Sequence, residues 1–372
     1  MAFACSPTIV NLNNGGVSPS PRATMDALDY YNRMCNEAPS FYMWRILDQD
    51  REPLRQNLAD LAGADAEEIA LNRNTTEALN TIIFGLNLKA GDEVVLSKYD
   101  YPNMIHAWKQ REKREGIRIV WVDLDLPSED AEALTQAFVS KFTDKTKIVH
   151  ITHMINWCGQ VLPARKIADA AHARGIEVVI DGAHSFALLD YKIPDLGGDY
   201  FGTSLHKWLC APFGSGMMWI KKEKIPNVWA LLSNDVPDGE NIRKFESLGT
   251  RNFPSEMAIG YSLDLHNMIG GARKQQRLHY LKNYWMEQVR ELPGVQIFTS
   301  LHPDWGCAIG TVGIAGKKAN EISEYLFRDW KIHTTNISWE KVEGARITPN
   351  VYTTEQELDK LVKAITTLAK QR

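Results

Sequence analysis

The chain has 372 residues, and its 42 lysines and arginines against 46 aspartates and glutamates leave a formal net charge of −4. With 44% hydrophobic and 24% charged residues, its composition is that of a folded, enzyme-sized protein, which excludes a disordered chain, a collagen-like repeat and a disulfide scaffold. Charges of both signs are interspersed, so there is no electrostatic footprint for nucleic acid or an anionic membrane, and a ligand has to be sought in a local site.

The N-terminus, Met-Ala-Phe-Ala-Cys-Ser-Pro, lacks the basic start and long apolar core of a signal peptide, and no stretch approaches 18 apolar residues. A cytoplasmic location is the expectation, a removed leader aside. Cys5, Cys35, Cys158, Cys210 and Cys307 are dispersed without a C-x-x-C pair, which reads as reduced, mostly buried thiols. Short β-branched runs then alternate with helical patterns. Ile69–Asn72, Glu93–Leu96, Ile119–Val122, Lys147–Ile151 and Glu177–Ile180 read as buried strands, and segments such as Pro163–Arg174, with Gly175 just beyond, read as helices. This alternation predicts an α/β fold with an open, mostly parallel sheet, whose ligands belong at the carboxyl ends of its strands.

After about residue 255 the texture changes to a long helical stretch, Glu256–Glu291, then two or three strand-like runs and a terminal helix. Thr354 and Glu357 form a capping box for that helix, and Leu358, Leu361, Val362, Ile365 and Leu368 make one apolar stripe. The expected division is an N-terminal segment 1–16, a large α/β domain 17–255 and a smaller α+β domain 256–372.

Three segments could carry chemistry. The run Val178-Val179-Ile180-Asp181-Gly182 sets a carboxylate at the tip of a buried strand. Alone, Asp181 serves equally well as a helix cap. Lys207, between Leu205 and Trp208-Leu209, is a desolvated and hence nucleophilic amine if that surrounding is buried, or a lysine reaching for solvent if it is not. Together they are the two protein groups that pyridoxal phosphate chemistry most needs: a lysine that forms a Schiff base, and an aspartate that holds a protonated pyridine nitrogen. Asn72-Arg73-Asn74-Thr75-Thr76-Glu77 follows a strand and opens a helix over 75–86. It offers an N-cap, free N–H groups and two hydroxyls to an anion, although a plain capped helix would look the same.

The combination of Asn74-Thr75-Thr76-Glu77, Asp181-Gly182-Ala183-His184 and Ser204-Leu205-His206-Lys207-Trp208 resembles the fold type I pyridoxal phosphate enzymes of aminotransferase class V, a group with cysteine desulfurases, isopenicillin N epimerase and related lyases and transaminases. The resemblance runs from about Leu12 to the terminal helix. It implies a large domain with a mostly parallel central sheet, a smaller C-terminal α+β domain, and pyridoxal 5′-phosphate as cofactor. Lys207 then corresponds to the Schiff-base lysine and Asp181 to the pyridinium partner. Thr75 and Thr76, with Asn74, Ser204 and His206, correspond to the phosphate cradle. Tyr101 falls where desulfurases have a histidine stacked on the ring, a task that needs only a π face. Asn156 matches the asparagine near the phenolic oxygen, and His184 stands where desulfurases have glutamine. Gly249-Thr250-Arg251-Asn252 resembles the segment that a neighbouring subunit lends to the phosphate, which implies a homodimer with Thr250 in a shared site. Arg346 resembles the arginine that grips the α-carboxylate of an amino-acid substrate, a task suited to its planar fork. Asn13, in Leu12-Asn13-Asn14-Gly15-Gly16, resembles the opening segment of the epimerase-like branch and is expected to line the substrate pocket.

One departure separates the branches. Desulfurases carry a nucleophilic cysteine shortly before the carboxylate-binding arginine, whereas Thr334–Trp339 holds none. The expectation is an aminotransferase or epimerase of the isopenicillin N epimerase-like branch, working by Cα deprotonation with Lys207 as base, and Tyr101 or His184 assisting reprotonation. A C–S lyase is the alternative, a cysteine desulfurase is disfavoured, and an inactive scaffold that only binds is the non-enzymatic reading. Trp157 and Trp339 suggest an aromatic-lined pocket. A metal site built from His150, His153, His184 and His206 is not expected, because His150 and His153 point to opposite faces of a strand end.

Overall fold

A computed structural model describes residues 2–371. In chain order its elements are β1 (Val10–Asn11), α1 (Arg22–Glu37), the single turn α2 (Pro39–Phe41), α3 (Arg51–Ala62), β2 (Ile69–Asn72), α4 (Thr75–Gly85), β3 (Glu93–Ser97), α5 (Pro102–Glu115), β4 (Arg118–Val122), α6 (Ala131–Val139), β5 (Thr146–Thr152), α7 (Ala164–His172), β6 (Glu177–Asp181), β7 (Tyr200–Ser204) and β8 (Gly216–Ile220). There follow α8 (Phe253–Ile269), α9 (Gly271–Val289), β9 (Val295–Ile297), β10 (Gly310–Ile314), α10 (Ala319–Trp330), β11 (Ile332–His333), β12 (Thr335–Trp339), β13 (Val342–Ile347) and α11 (Glu355–Lys370).

The large sheet has seven strands in the order β2-β8-β7-β6-β5-β3-β4. Only β8 runs against its neighbours, so the ends of β2, β3, β5, β6 and β7 share one edge. The reason the strands read as unbroken apolar runs is visible in their packing. Val178 and Ile180 belong to one buried cluster and Val179 to another on the opposite face, so both faces are covered. Helices α4 and α5 cover one side through Leu79, Ile82, Met104 and Trp108. The other cluster runs without interruption from Val149 and Ile151 to Leu326, Ile347 and Leu361.

The second sheet is antiparallel, with four strands in the order β12-β13-β10-β9. Its companion α11 starts with the capping box read from the sequence, Glu357 N donating to Thr354 Oγ1 at 3.3 Å and Thr354 N to Glu357 Oε2 at 2.8 Å. Leu358, Leu361, Ile365 and Leu368 are buried, as the stripe predicts. The long helical stretch is two helices, because Gly270 between them takes φ 85°, a conformation that side-chain-bearing residues rarely adopt. The N-terminal segment reaches this region by pairing β1 in parallel with β11. Among the described residues, no helix is long and apolar enough to cross a membrane.

Candidate active site

The shared strand edge opens into a cavity of about 220 Å³. It is lined by residues from nearly every motif singled out above: Asn74, Thr75 and Thr76; Tyr101; Asn156; Asp181 and His184; Ser204, His206 and Lys207. Segments separated by more than a hundred positions therefore meet because parallel strands bring their carboxyl ends together.

Asp181 is the last residue of β6 and is 3% exposed. Ala183 N donates to its Oδ1 at 2.9 Å. Burial pushes the carboxyl pKa up, while this hydrogen bond and the nearby Lys207 charge pull it back. Glycine must follow, since a Cβ on Gly182 would lie 1.9 Å from Cζ of Phe201. Lys207 sits in the turn after β7, with Nζ 3.1 Å from Nε2 of His184. Desolvation drives its pKa down to about 8 against the opposing pull of Asp181, and the positive charge of Arg346 adds to the drop. Burial, with Lys207 and Arg346 nearby, holds His184 well below the ordinary histidine range, so its imidazole is neutral.

At the other end of the cavity, α4 begins with Asn74 as N-cap, its Oδ1 accepting from Glu77 N at 2.9 Å. Thr75 N donates to Ser204 Oγ at 2.9 Å, and the two hydroxyl oxygens lie 2.7 Å apart. The two segments expected to form one anion cradle thus touch. His206 Nδ1 is 3.0 Å from the Ser215 carbonyl, and burial lowers its pKa.

Tyr101 caps α5, is 41% exposed, and stacks on Trp157 with ring centroids 6.3 Å apart. Trp157 in turn stacks on Trp339 at 4.8 Å and 15°. The two tryptophans stand in line behind Tyr101 and are themselves anchored, their indole N–H groups donating to the carbonyls of Tyr99 and Lys98.

Arg346, on β13, is 5% exposed. Its Nη1 donates to the Asn156 carbonyl at 3.1 Å and its Nη2 to Asn13 Oδ1 at 3.2 Å, while Nε has no partner among the described residues. It forms no salt bridge with any carboxylate among the described residues, and burial lowers its pKa to about 10. Asn13 also accepts from Thr335 Oγ1 at 2.5 Å, which ties the N-terminal segment to β12. Thr250 lies in an exposed turn and does not reach this cavity.

Sequence reasoning passed over Thr152, Met104 and Gly16, which also line the cavity. It also passed over Asp100, a buried carboxyl that accepts from Thr152 Oγ1 and, at 2.9 Å, from Ser97 N. The strand-end rule that singled out Asp181 points equally to Thr152, its register partner on β5.

The protein-family model for class V aminotransferases matches residues 10–361. The chain belongs to the class V aminotransferase family. Pyridoxal phosphate is the cofactor of that family, and the large sheet with its helices is the fold type I scaffold. Isopenicillin N epimerase of Streptomyces clavuligerus is 28% identical over 380 residues, 97% of this chain and 95% of that protein. A probable cysteine desulfurase of Halalkalibacterium halodurans is 25% identical over 388 residues, 96% of this chain and 92% of that one. Among solved structures, the cystine C–S lyase C-DES in complex with cysteine persulfide has a TM-score of 0.87 at 21% identity, covering 97% of this chain and 98% of its own. A mutant of that lyase carries glycine covalently linked to its pyridoxal phosphate cofactor.

The residues present fit such a group. His184 Nδ1 and Asn156 Oδ1 are buried polar atoms without a partner among the described residues, which is costly unless a ligand or water satisfies them. Asp181 and Lys207 would offer it a buried carboxylate and a desolvated amine, and the start of α4 would offer N–H groups and hydroxyls to its phosphate.

Proposed function

We propose that this protein binds pyridoxal phosphate in the cavity and uses Lys207 to take the Cα proton of an amino acid, as an aminotransferase or epimerase. The observation that carries the reading is the state of Lys207: an amine withdrawn from water, poised near pH 8, between a buried carboxylate and a neutral imidazole. Part of it is unprotonated at pH 7 and able to accept a proton, as a general base must be.

When bound, pyridoxal phosphate supplies an electron-withdrawing ring over which charge released at Cα can spread. Asp181 is assigned to its protonated ring nitrogen. Asn74, Thr75, Thr76, Ser204 and His206 are assigned to its phosphate, where the α4 dipole adds to the attraction. Tyr101 is assigned to the face of the ring, and Asn156 and His184 to its phenolic oxygen. Arg346, a buried cation that pairs with no acid among the described residues, holds the substrate α-carboxylate, with Asn13 beside it. Tyr101 and His184 are the groups assigned to returning a proton from elsewhere in the site. Thr250, exposed here, is assigned to the phosphate site of a second copy, in a homodimer.

A C–S lyase is the second reading, favoured by the fold shared with C-DES and by the fact that β-elimination needs no protein thiol. Persulfide chemistry of the desulfurase kind has no nucleophile to use: β12 and the residue before it contain no cysteine, and burial pushes the Cys158 and Cys307 thiols up to about 12. The test is the visible spectrum of the purified protein with pyridoxal phosphate, borohydride reduction, and mapping of the labelled residue. A band that bleaches, with the label on Lys207, supports the reading. Amino acids are then screened for keto acid, inverted stereochemistry or released sulfide. A protein that stays colourless with added cofactor overturns it in favour of an inactive scaffold.

A further inference from the structure

The turn that follows Lys207 is strained and heavily tethered. Cys210, three residues on, takes φ 59°, a left-handed conformation rare for a residue with a side chain. Such a residue persists only where its surroundings over-determine it. Here Lys274 Nζ, from α9, donates to the Trp208 carbonyl and lies 3.3 Å from His266 Nδ1. Ser262 Oγ, from α8, donates to the Cys210 carbonyl at 3.0 Å and is backed at 2.8 Å by Thr24 Oγ1 of α1. Ser20 Oγ donates to the Ala211 carbonyl at 3.2 Å. Asn350 Nδ2 reaches Cys210 Sγ at 3.5 Å and Ser18 Oγ at 2.9 Å.

Lys274 is the costly member of this set. It is 3% exposed and forms no salt bridge with a carboxylate among the described residues. Burying an ammonium without a counter-charge is unfavourable unless fixed dipoles replace its water, and the dipole it takes is the carbonyl of the residue next to Lys207. Three of the tethers end on consecutive or near-consecutive carbonyls of one turn, yet they start from Ser20 just ahead of α1, from α8 and from α9.

We infer that Lys274, with Ser262 beside it, is a positioning residue for Lys207: by holding the Trp208 and Cys210 carbonyls the two keep the strained turn closed and the amine aimed into the cavity. The inference rests on the cofactor reading above. The experiment follows the formation of the borohydride-bleachable visible band after cofactor-free protein is mixed with saturating pyridoxal phosphate, at a temperature where every variant is folded by circular dichroism. Lys274→Met keeps the length of the side chain and removes the donor. Its band forms about tenfold more slowly than in the unmodified protein, with the label still on Lys207. Lys274→Gln restores an N–H donor and recovers the rate to within about threefold.

A merely structural role would lower the thermal midpoint and leave this rate unchanged in the folded variant, and that result overturns the inference. If Lys274→Met does not fold, Ser262→Ala decides, since it removes the neighbouring tether with little change in volume. It is expected to slow band formation about threefold, and an unchanged rate overturns the inference. Absence of a band in the unmodified protein is a different failure, because it removes the cofactor reading itself.

Discussion

The cavity and the polar cluster beside it are built differently. The wall of strand ends is made of short contiguous motifs, Asn74–Thr76, Asp181–His184 and Ser204–Lys207, each fixed by its own strand or helix and joined to the next by the sheet. The polar cluster beside it, the facing wall, joins Asn156 of the cavity lining to Asn13, Thr335 and Arg346, which lie outside that lining; these are single residues from four segments that meet at 2.5–3.2 Å through side chains and the Asn156 carbonyl. The first can be kept through large changes elsewhere in a chain, because a parallel sheet holds it. The second changes when any contributing segment changes. A family that keeps one cofactor while varying its reactions, as the epimerase and desulfurase relatives of this chain do, needs this division.

The largest effect should come from the strand-end wall. Lys207→Ala is expected to abolish turnover, a loss of at least about a thousandfold in kcat, since it removes the group proposed as both anchor and general base. It should also remove the borohydride-dependent label. Measurable kcat within tenfold of the unmodified enzyme in cofactor-saturated Lys207→Ala would refute the role assigned to that wall.

The facing wall should answer in KM rather than in kcat. Arg346→Ala is expected to raise KM for α-carboxylate substrates on the order of 10- to 100-fold, the consequence of losing a charge-assisted fork. It should also move the pH dependence of cofactor loading. Arg346 is one of the charges that hold the Lys207 amine down near 8, so its removal lets that pKa rise, and the midpoint of visible-band formation should shift to higher pH. A kcat loss as large as that of Lys207→Ala, with KM unchanged, would erase the distinction between the walls.

That distinction also explains what could be read in the sequence. β2 to β6 were legible as apolar runs because both faces of the sheet are buried. β7 and β8 were not, since Tyr-Phe-Gly-Thr-Ser and Gly-Met-Met-Trp-Ile lack the β-branched run that marks the others. They become strands by pairing with each other and with β6 and β2, a tertiary effect. Asp181 and Lys207 stood out through their neighbours in the chain. Asp100 did not, because it lies outside an apolar run, and what makes it unusual is the Thr152 hydroxyl that only the sheet brings to it. Trp157 and Trp339 suggested an aromatic-lined pocket. They stack on each other behind Tyr101, an arrangement set by the β12–β13 hairpin and invisible in either local sequence.

Asp100 offers a test of the strand-end wall without cofactor. Burial raises its pKa to about 7, with the negative charge of Asp181 adding to the effect and hydrogen bonds opposing it. Its value in the unfolded chain is about 3.9. Between those values the folded state holds a proton that the unfolded state releases, so the contribution of this group to stability is complete below about pH 4 and is lost as pH rises to about 7, at up to about 1.4 kcal/mol per pH unit. Urea titrations of cofactor-free protein across that range should show the slope, and Asp100→Asn, which mimics the protonated form, should flatten it. The same slope in both proteins would mean that Asp100 is already ionised in the fold.

The smallest expected effect separates holding from gripping on the facing wall. Asn13 Oδ1 accepts from both Arg346 and Thr335, so Asn13→Ala leaves two partly buried donors without an acceptor. Each such loss costs about 1–3 kcal/mol where water cannot enter. A substrate carboxylate would satisfy Arg346 and restore part of it. The stability of the free protein should therefore fall, while KM rises only about threefold and kcat stays within a factor of about two. If Asn13 itself bound the carboxylate, its removal would raise KM well beyond threefold and would raise it again in an Arg346→Ala background, so that the two losses add. If Asn13 only orients the guanidinium, Asn13→Ala should have almost no effect on KM in an Arg346→Ala background, while its single effect remains small. The double-mutant cycle measured in KM therefore decides whether the N-terminal segment is part of the grip or a support for it.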